Sequence, residues 1–230
     1  MGNFKRAARI IVLSGKHKIV ASGVIAAVIL NTLMIFADTF NSGTGRIWVS
    51  MAMMSLAVPS MIGNADILGL CRAVTTSKLR KYIYGKFYTI MTVLSALLVY
   101  AAEFAARLAA SGLTKDMTAA ENAGEESIMI ALILCIGIIN TGMLSLGKYG
   151  LAVYIGSGAF VLAIAGGIIS VPFNVPELAS GNHVFDFILG AAIIIAGAAV
   201  QYFIRRKCYK KQSYPWGKNA PEEMAELLGK

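Results

Sequence analysis

Charge is scarce in this chain: only 14% of its 230 residues are Asp, Glu, Lys or Arg, against about 25% in an ordinary soluble domain. Chemistry-bearing side chains are scarce as well. The three cysteines, Cys71, Cys135 and Cys208, share no metal-ligand spacing, and two histidines, His17 and His183, cannot complete a metal site with them. No disulfide is expected, because Cys135 lies in an apolar run and the other two lie in basic segments assigned to the reducing side of a membrane. A Gly-x4-Gly-Lys-Ser/Thr loop is missing, so the chain has no phosphate cradle of its own. Paired carboxylates within the apolar runs are missing too. No catalytic residue is assigned, and the chain is not expected to be an enzyme.

What the sequence has is length without polarity. Of its residues, 57% are apolar, and uninterrupted apolar runs of about 20 residues match a hydrocarbon slab ~30 Å thick. Six such runs fall at about 19–37, 47–62, 86–108, 127–146, 151–171 and 184–204. They predict an all-α integral membrane protein with six transmembrane helices, 1–230 forming a single transmembrane domain. Ile19 to Ala37 is longer than the h-region of a signal peptide, and no small-x-small site follows it, so it reads as the first span. Residues 1–18 form a basic, mildly amphipathic segment, with Phe4, Ala8, Ile10 and Ile11 among Lys5, Arg6 and Arg9. Such a segment suits a cytoplasmic helix lying at the interface, or a short basic anchor. A Pro59 kink is expected near the end of span 2.

The net charge of +9 does not point to nucleic acid, because the cations flank apolar spans and face membrane lipids. When the polar segments are numbered alternately, the N-terminus, 63–86, 147–150 and 205–230 hold 18 of the 21 Lys and Arg residues. Arg46, Arg107 and Lys115 are the other three. Basic segments stay inside, so both termini are cytoplasmic (N-in, C-in), and the acidic linker 114–126 faces outward. Spans 5 and 6 are rich in Gly and Ala. Helices in lipid associate by close backbone approach, so these two are expected to pack tightly.

Few polar groups lie in the spans. Glu103 and Arg107 are four apart on one face of span 3, as an ion pair or as the lining of an outer vestibule. Asp186 sits at the start of span 6, as a charge favoured by the helix N-terminus or as a substrate contact. Asn31, Ser55, Thr92, Ser95, Asn140, Thr141 and Ser157 are expected to bond between helices. Gly156-Ser157-Gly158 falls short of an intramembrane serine protease motif, since Ile155 stands where a glycine is required and His183 lies in a loop.

The 63–86 loop carries the strongest functional signal. It runs Gly63-Asn64-Ala65-Asp66-Ile67-Leu68-Gly69-Leu70-Cys71-Arg72-Ala73-Val74-Thr75-Thr76-Ser77-Lys78 and reaches span 3 through Tyr82, Gly85 and Lys86. This resembles the cytoplasmic loop between spans 2 and 3 of ABC-2 type transporter permeases. In that family an acidic residue and a glycine precede a Pro-Val-Ser-Arg-like turn, with Thr75 here in the place of the proline. The six-span layout with inside termini resembles that family too. The resemblance implies the permease subunit of a bacterial ABC exporter in the plasma membrane, moving a peptide, drug or other amphipathic substrate. A second permease copy or paralogue and a cytoplasmic ABC ATPase subunit would be its partners. Cofactors would be none in this chain, with ATP and Mg bound by the ATPase. The coupling helix would lie within 66–81, with Asp66, Gly69, Leu70, Arg72, Val74, Ser77 and Lys78 facing the ATPase. The alternative is an ATP-independent carrier or channel, or a membrane assembly factor.

Overall fold

The computed structural model describes residues 2–13, 16–40, 77–114, 117–143, 156 and 180–211. Every regular element among them is helical, and no strand occurs among the described residues. Helix α1 (Asn3–Leu13) is followed after two residues by α2 (Lys16–Phe40). Helix α3 (Ser77–Tyr82) runs through a π-helical turn (Ile83–Phe87) into α4 (Tyr88–Thr114) without a break. Two further helices, α5 (Met117–Met143) and α6 (His183–Lys211), follow among the described residues. Three apolar stretches are long enough to cross a membrane: Ile83–Ala110, Glu126–Met143 and His183–Lys207. A shorter one, Ala21–Leu33, lies in α2.

Contacts between named residues fix the helix directions. Asn31 of α2 meets Glu103 of α4, while Val24 and Ala27, earlier in α2, belong to the cluster of Ile83, Phe87 and Tyr88. Helices α2 and α4 therefore run the same way. Helix α5 runs back against α4, with Arg107 beside Glu126. Gly197 meets Cys135 and Gln201 meets Gly142, so α6 is parallel to α5. Against α4, α6 is antiparallel: Gly190 lies on Tyr100 and Arg205 on Tyr84.

Two apolar clusters hold these helices. One joins Ala7 of α1 and Ala27 of α2 to Ile83, Tyr84, Phe87, Tyr88 and Val99. The other joins Ile35, Tyr100, Ile130, Leu134, Ile138 and Ile194. In the π turn the added residue widens the inward face: Ile83, Tyr84, Gly85 and Phe87 are all buried and only Lys86 is exposed. Widened turns of this kind occur often at functional sites.

Close approach in the second cluster depends on glycine. A Cβ on Gly190 would lie 2.0 Å from Tyr100 Oη, and one on Gly197 would lie 2.6 Å from Cys135 Sγ. The small residues of span 6 thus serve contacts to spans 3 and 4. The expected packing of span 6 on span 5 lies outside the described residues, as do the Pro59 kink, Ser55, Ser157 and Cys71.

Local sequence sets the start of α6. Asn182 Oδ1 accepts hydrogen bonds from the backbone N–H of Val184 (3.0 Å) and Phe185 (3.4 Å), an N-cap. Gly181, at φ 71°, supplies the left-handed residue that leads into it. Helix α5 begins at Met117, so most of the segment read as an acidic linker is helical. Helix α6 continues to Lys211, so the start of the basic tail is helical as well.

Charge is segregated along the bundle. All described acidic positions (Asp38, Glu103, Glu121, Glu125, Glu126 and Asp186) lie at the end where α2 and α4 finish. The opposite end carries Lys5, Arg6, Arg9, Lys78, Lys81, Lys86, Arg205, Arg206 and Lys207, with no Asp or Glu among its described residues.

Candidate functional site

Of the residues assigned to coupling, Asp66, Gly69, Leu70, Arg72 and Val74 lie outside the described residues. Ser77 and Lys78 open α3, and Lys78 is exposed. The Gly-Lys step read as the approach to span 3 is the π turn itself, inside one continuous helix from Ser77 to Thr114. At 1.5 Å per residue its 38 positions extend roughly 55 Å, well beyond an apolar slab of about 30 Å, and α3 lies before the apolar stretch, which begins at Ile83.

Two neighbours brace this part of the helix. From α1, Ala7 is buried in the first cluster and Phe4 packs on Phe87, ring centroids 5.3 Å apart, while Lys5, Arg6 and Arg9 stay exposed. Ala7 thus faces the protein, while Phe4, Val12 and Leu13 of the same helix remain exposed. From α6, Arg205 donates through Nε to the Tyr84 carbonyl oxygen at 2.9 Å. That bond ties the last part of α6 to the π turn. A π turn spaces backbone hydrogen bonds irregularly, and a side-chain donor is well placed to serve its carbonyls.

The acidic end holds the second group of candidates. Glu103 is buried and accepts a hydrogen bond from Asn31 Nδ2 at 2.5 Å. Arg107 is buried and forms an ion pair with Glu126 of α5. The two residues expected to pair within one helix thus each meet a partner on a further helix, Asn31 on α2 and Glu126 on α5. Snorkelling is not needed to explain Arg107, since a protein carboxylate meets it inside the bundle. Asp186 is fully buried; its Oδ1 accepts from Ser180 N–H (2.9 Å) and Ser180 Oγ–H (3.0 Å). It is the helix-terminal charge expected, with its own capping donors. Tyr100 Oη–H donates to the Asp186 and Phe187 carbonyls at 3.3 and 3.5 Å. Its ring stacks on Phe187.

Between the two ends the polar contacts are neutral. Gln201 Nε2 donates to Thr141 Oγ1 at 2.5 Å, and Thr141 Oγ1 donates to the Ile138 carbonyl at 2.7 Å. Thr92 donates to the Tyr88 carbonyl at 3.0 Å within its own helix. Thr141 thus bonds between helices as expected, whereas Thr92 does not use its hydroxyl that way. Sequence reasoning missed Tyr100, Gln201 and Arg205. Gln201 was legible as an amide inside an apolar run. Arg205 was read as tail, and nothing in its neighbours signals burial. Among the described residues no group of three His, Cys, Asp or Glu side chains is placed to hold a metal ion.

The described residues thus form a helical assembly with three helices long and apolar enough to cross a membrane. The chain matches no protein-family model, no curated protein and no solved structure.

Proposed function

We propose that this chain is the membrane-spanning permease subunit of an ATP-binding cassette exporter, with six spans and both termini in the cytoplasm. The observation that carries the reading is the continuous helix Ser77–Thr114, which leaves the membrane directly behind the segment resembling an ABC-2 coupling loop. Force applied to α3 by an ATPase would enter α4 with no loop to absorb it. Arg205 and α1 would share that displacement with α6 and α2.

Helix directions support the six-span reading. Helices α2 and α4 are parallel, so the 36 residues between α2 and α3 start at one end of the bundle and finish at the other. The same holds for the residues between the parallel helices α5 and α6. One crossing in each connection, added to the four described long helices, would make six. The basic end would then face the cytoplasm. The substrate class carried over from the resemblance is a peptide, drug or other amphipathic molecule, moved outward in the plasma membrane of a bacterium by two permease halves.

Co-purification tests this. The solubilised chain should bring down an ATPase subunit encoded beside it, and flux in proteoliposomes should require ATP. Asp66→Asn and Arg72→Ala should insert normally yet hydrolyse ATP without transport. A complex free of ATPase, with flux indifferent to ATP, would remove the proposal.

A second reading, an ATP-independent carrier, is favoured by the burial of Glu103 against Asn31. Ionisable groups inside a membrane bundle often mark a transport path. On that reading Glu103→Gln would abolish flux driven by an ion gradient alone; on the exporter reading ATP-driven flux persists in the same variant.

A further inference from the structure

We propose that Arg205 binds a phosphate oxyanion at the basic end of the bundle, as the headgroup of an anionic lipid or as free phosphate. This is independent of the exporter reading and needs only that α6 cross the membrane.

The Arg205 side chain is 6% exposed. Its guanidinium carbon lies 3.5 Å from the Tyr88 ring centroid and 4.5 Å from that of Tyr84. Nε is engaged by the Tyr84 carbonyl at 2.9 Å. Two aromatic rings and one hydrogen bond therefore fix the plane and direction of the guanidinium before any ligand arrives. Its Nε is used inward. The remaining edge, the pair of Nη nitrogens, has no acceptor among the described residues. Neither Nη is among the fully enclosed unpartnered atoms, so the fork reaches the surface.

Among the described residues no carboxylate lies beside it to neutralise it. The described residues at this end hold no Asp or Glu. A buried cation without a counter-charge is costly, and aromatic faces offset only part of that cost. A planar fork with parallel N–H donors fits two oxygens of one phosphate. Depth selects phosphate over other anions: Arg205 lies two residues from the end of the apolar stretch His183–Lys207, with Arg206 and Lys207 exposed beside it. That is where headgroup phosphates lie. Tyr88 Oη, buried and without a hydrogen-bond partner, is a further polar group on one of the residues that hold the guanidinium.

The test uses the full chain in dodecyl maltoside, which carries no phosphate. Native mass spectrometry of the folded fraction counts bound molecules, while phosphatidic acid, inorganic phosphate and oleate are titrated separately. Phosphatidic acid should bind the unmodified chain. In Arg205→Gln that binding should weaken by about tenfold, equivalent to about 1.4 kcal/mol. Arg205→Lys keeps the charge but lacks the fork, and should recover only a small part of the affinity. Lys207→Gln should bind like the unmodified chain. Binding of phosphatidic acid alone assigns the site to a lipid headgroup; equal occupancy by inorganic phosphate assigns it to a soluble phosphate. Equal binding of oleate, full affinity in Arg205→Gln or Arg205→Lys, or no binding by either phosphate probe overturns the proposal. Because binding is counted only on folded molecules, a variant that folds poorly still gives an answer.

Discussion

At the scale of single residues, the structure is governed by how closely backbones approach. Lipid tails compete with apolar side chains on equal terms, so fit between helices decides association. Gly190 lies against Tyr100, whose hydroxyl and ring carbons occupy the space of a Cβ. Gly190→Ala should therefore displace Tyr100 and break its bond to the Asp186 carbonyl, costing about 1–3 kcal/mol. Denaturation in mixed micelles would measure it, and pairing the change with Tyr100→Ala should recover part of the loss. If the two substitutions simply add, the contact is not the source. Gly85 is different, because a Cβ there meets only Tyr202 Cε2 at 3.6 Å, an ordinary contact. Gly85→Ala should be nearly neutral. Both glycines are visible in the sequence. Which one is indispensable depends on a residue about 90 positions away.

At the scale of elements, the π turn and α1 form one unit. The turn adds one residue to the helix and absorbs it, so the faces of α3 and α4 stay in phase. A further alanine inserted after Tyr82 would rotate α3 by about 100° relative to α4, carrying Leu79 and Tyr82 off the cluster they share with α1. Oxidative cross-linking between Ala8→Cys and Leu79→Cys, in a chain whose native cysteines are replaced by serine, should report this. Yield should fall sharply after the insertion and survive Gly85→Ala. Unchanged yield after the insertion would show that register does not control the docking of α1. An amphipathic N-terminal helix was legible from Phe4, Ala8 and Ile10 among the cations. That Ala7 would be its buried contact was not, because an alanine carries no signal of its own.

At the scale of the whole molecule, the segregation of charge dominates. Described acids lie at one end of the bundle, and the described charges at the opposite end are all basic. With that basic end in the cytoplasm, Lys78→Cys should resist an impermeant thiol reagent in intact cells, while Glu121→Cys at the start of α5 should react. Labelling of both residues from one side would overturn the orientation and the docking surface proposed for an ATPase. In each parallel pair, α2/α4 and α5/α6, the first helix finishes at the end of the bundle opposite to that at which the second begins.

The sequence by itself determined that the chain is apolar, helical and long enough to cross a membrane repeatedly, because hydrophobic length is a local property read residue by residue. It also placed Glu103, Arg107 and Asp186 as the charges nearest the membrane. Tertiary structure alone decided their partners: Asn31 for Glu103, Glu126 for Arg107 and Ser180 for Asp186. It decided as well that Arg205, read as part of a solvated tail, is held between Tyr84 and Tyr88. The reason is physical. An apolar face looks the same whether it meets lipid or another helix, and only packing in three dimensions selects which polar atoms meet.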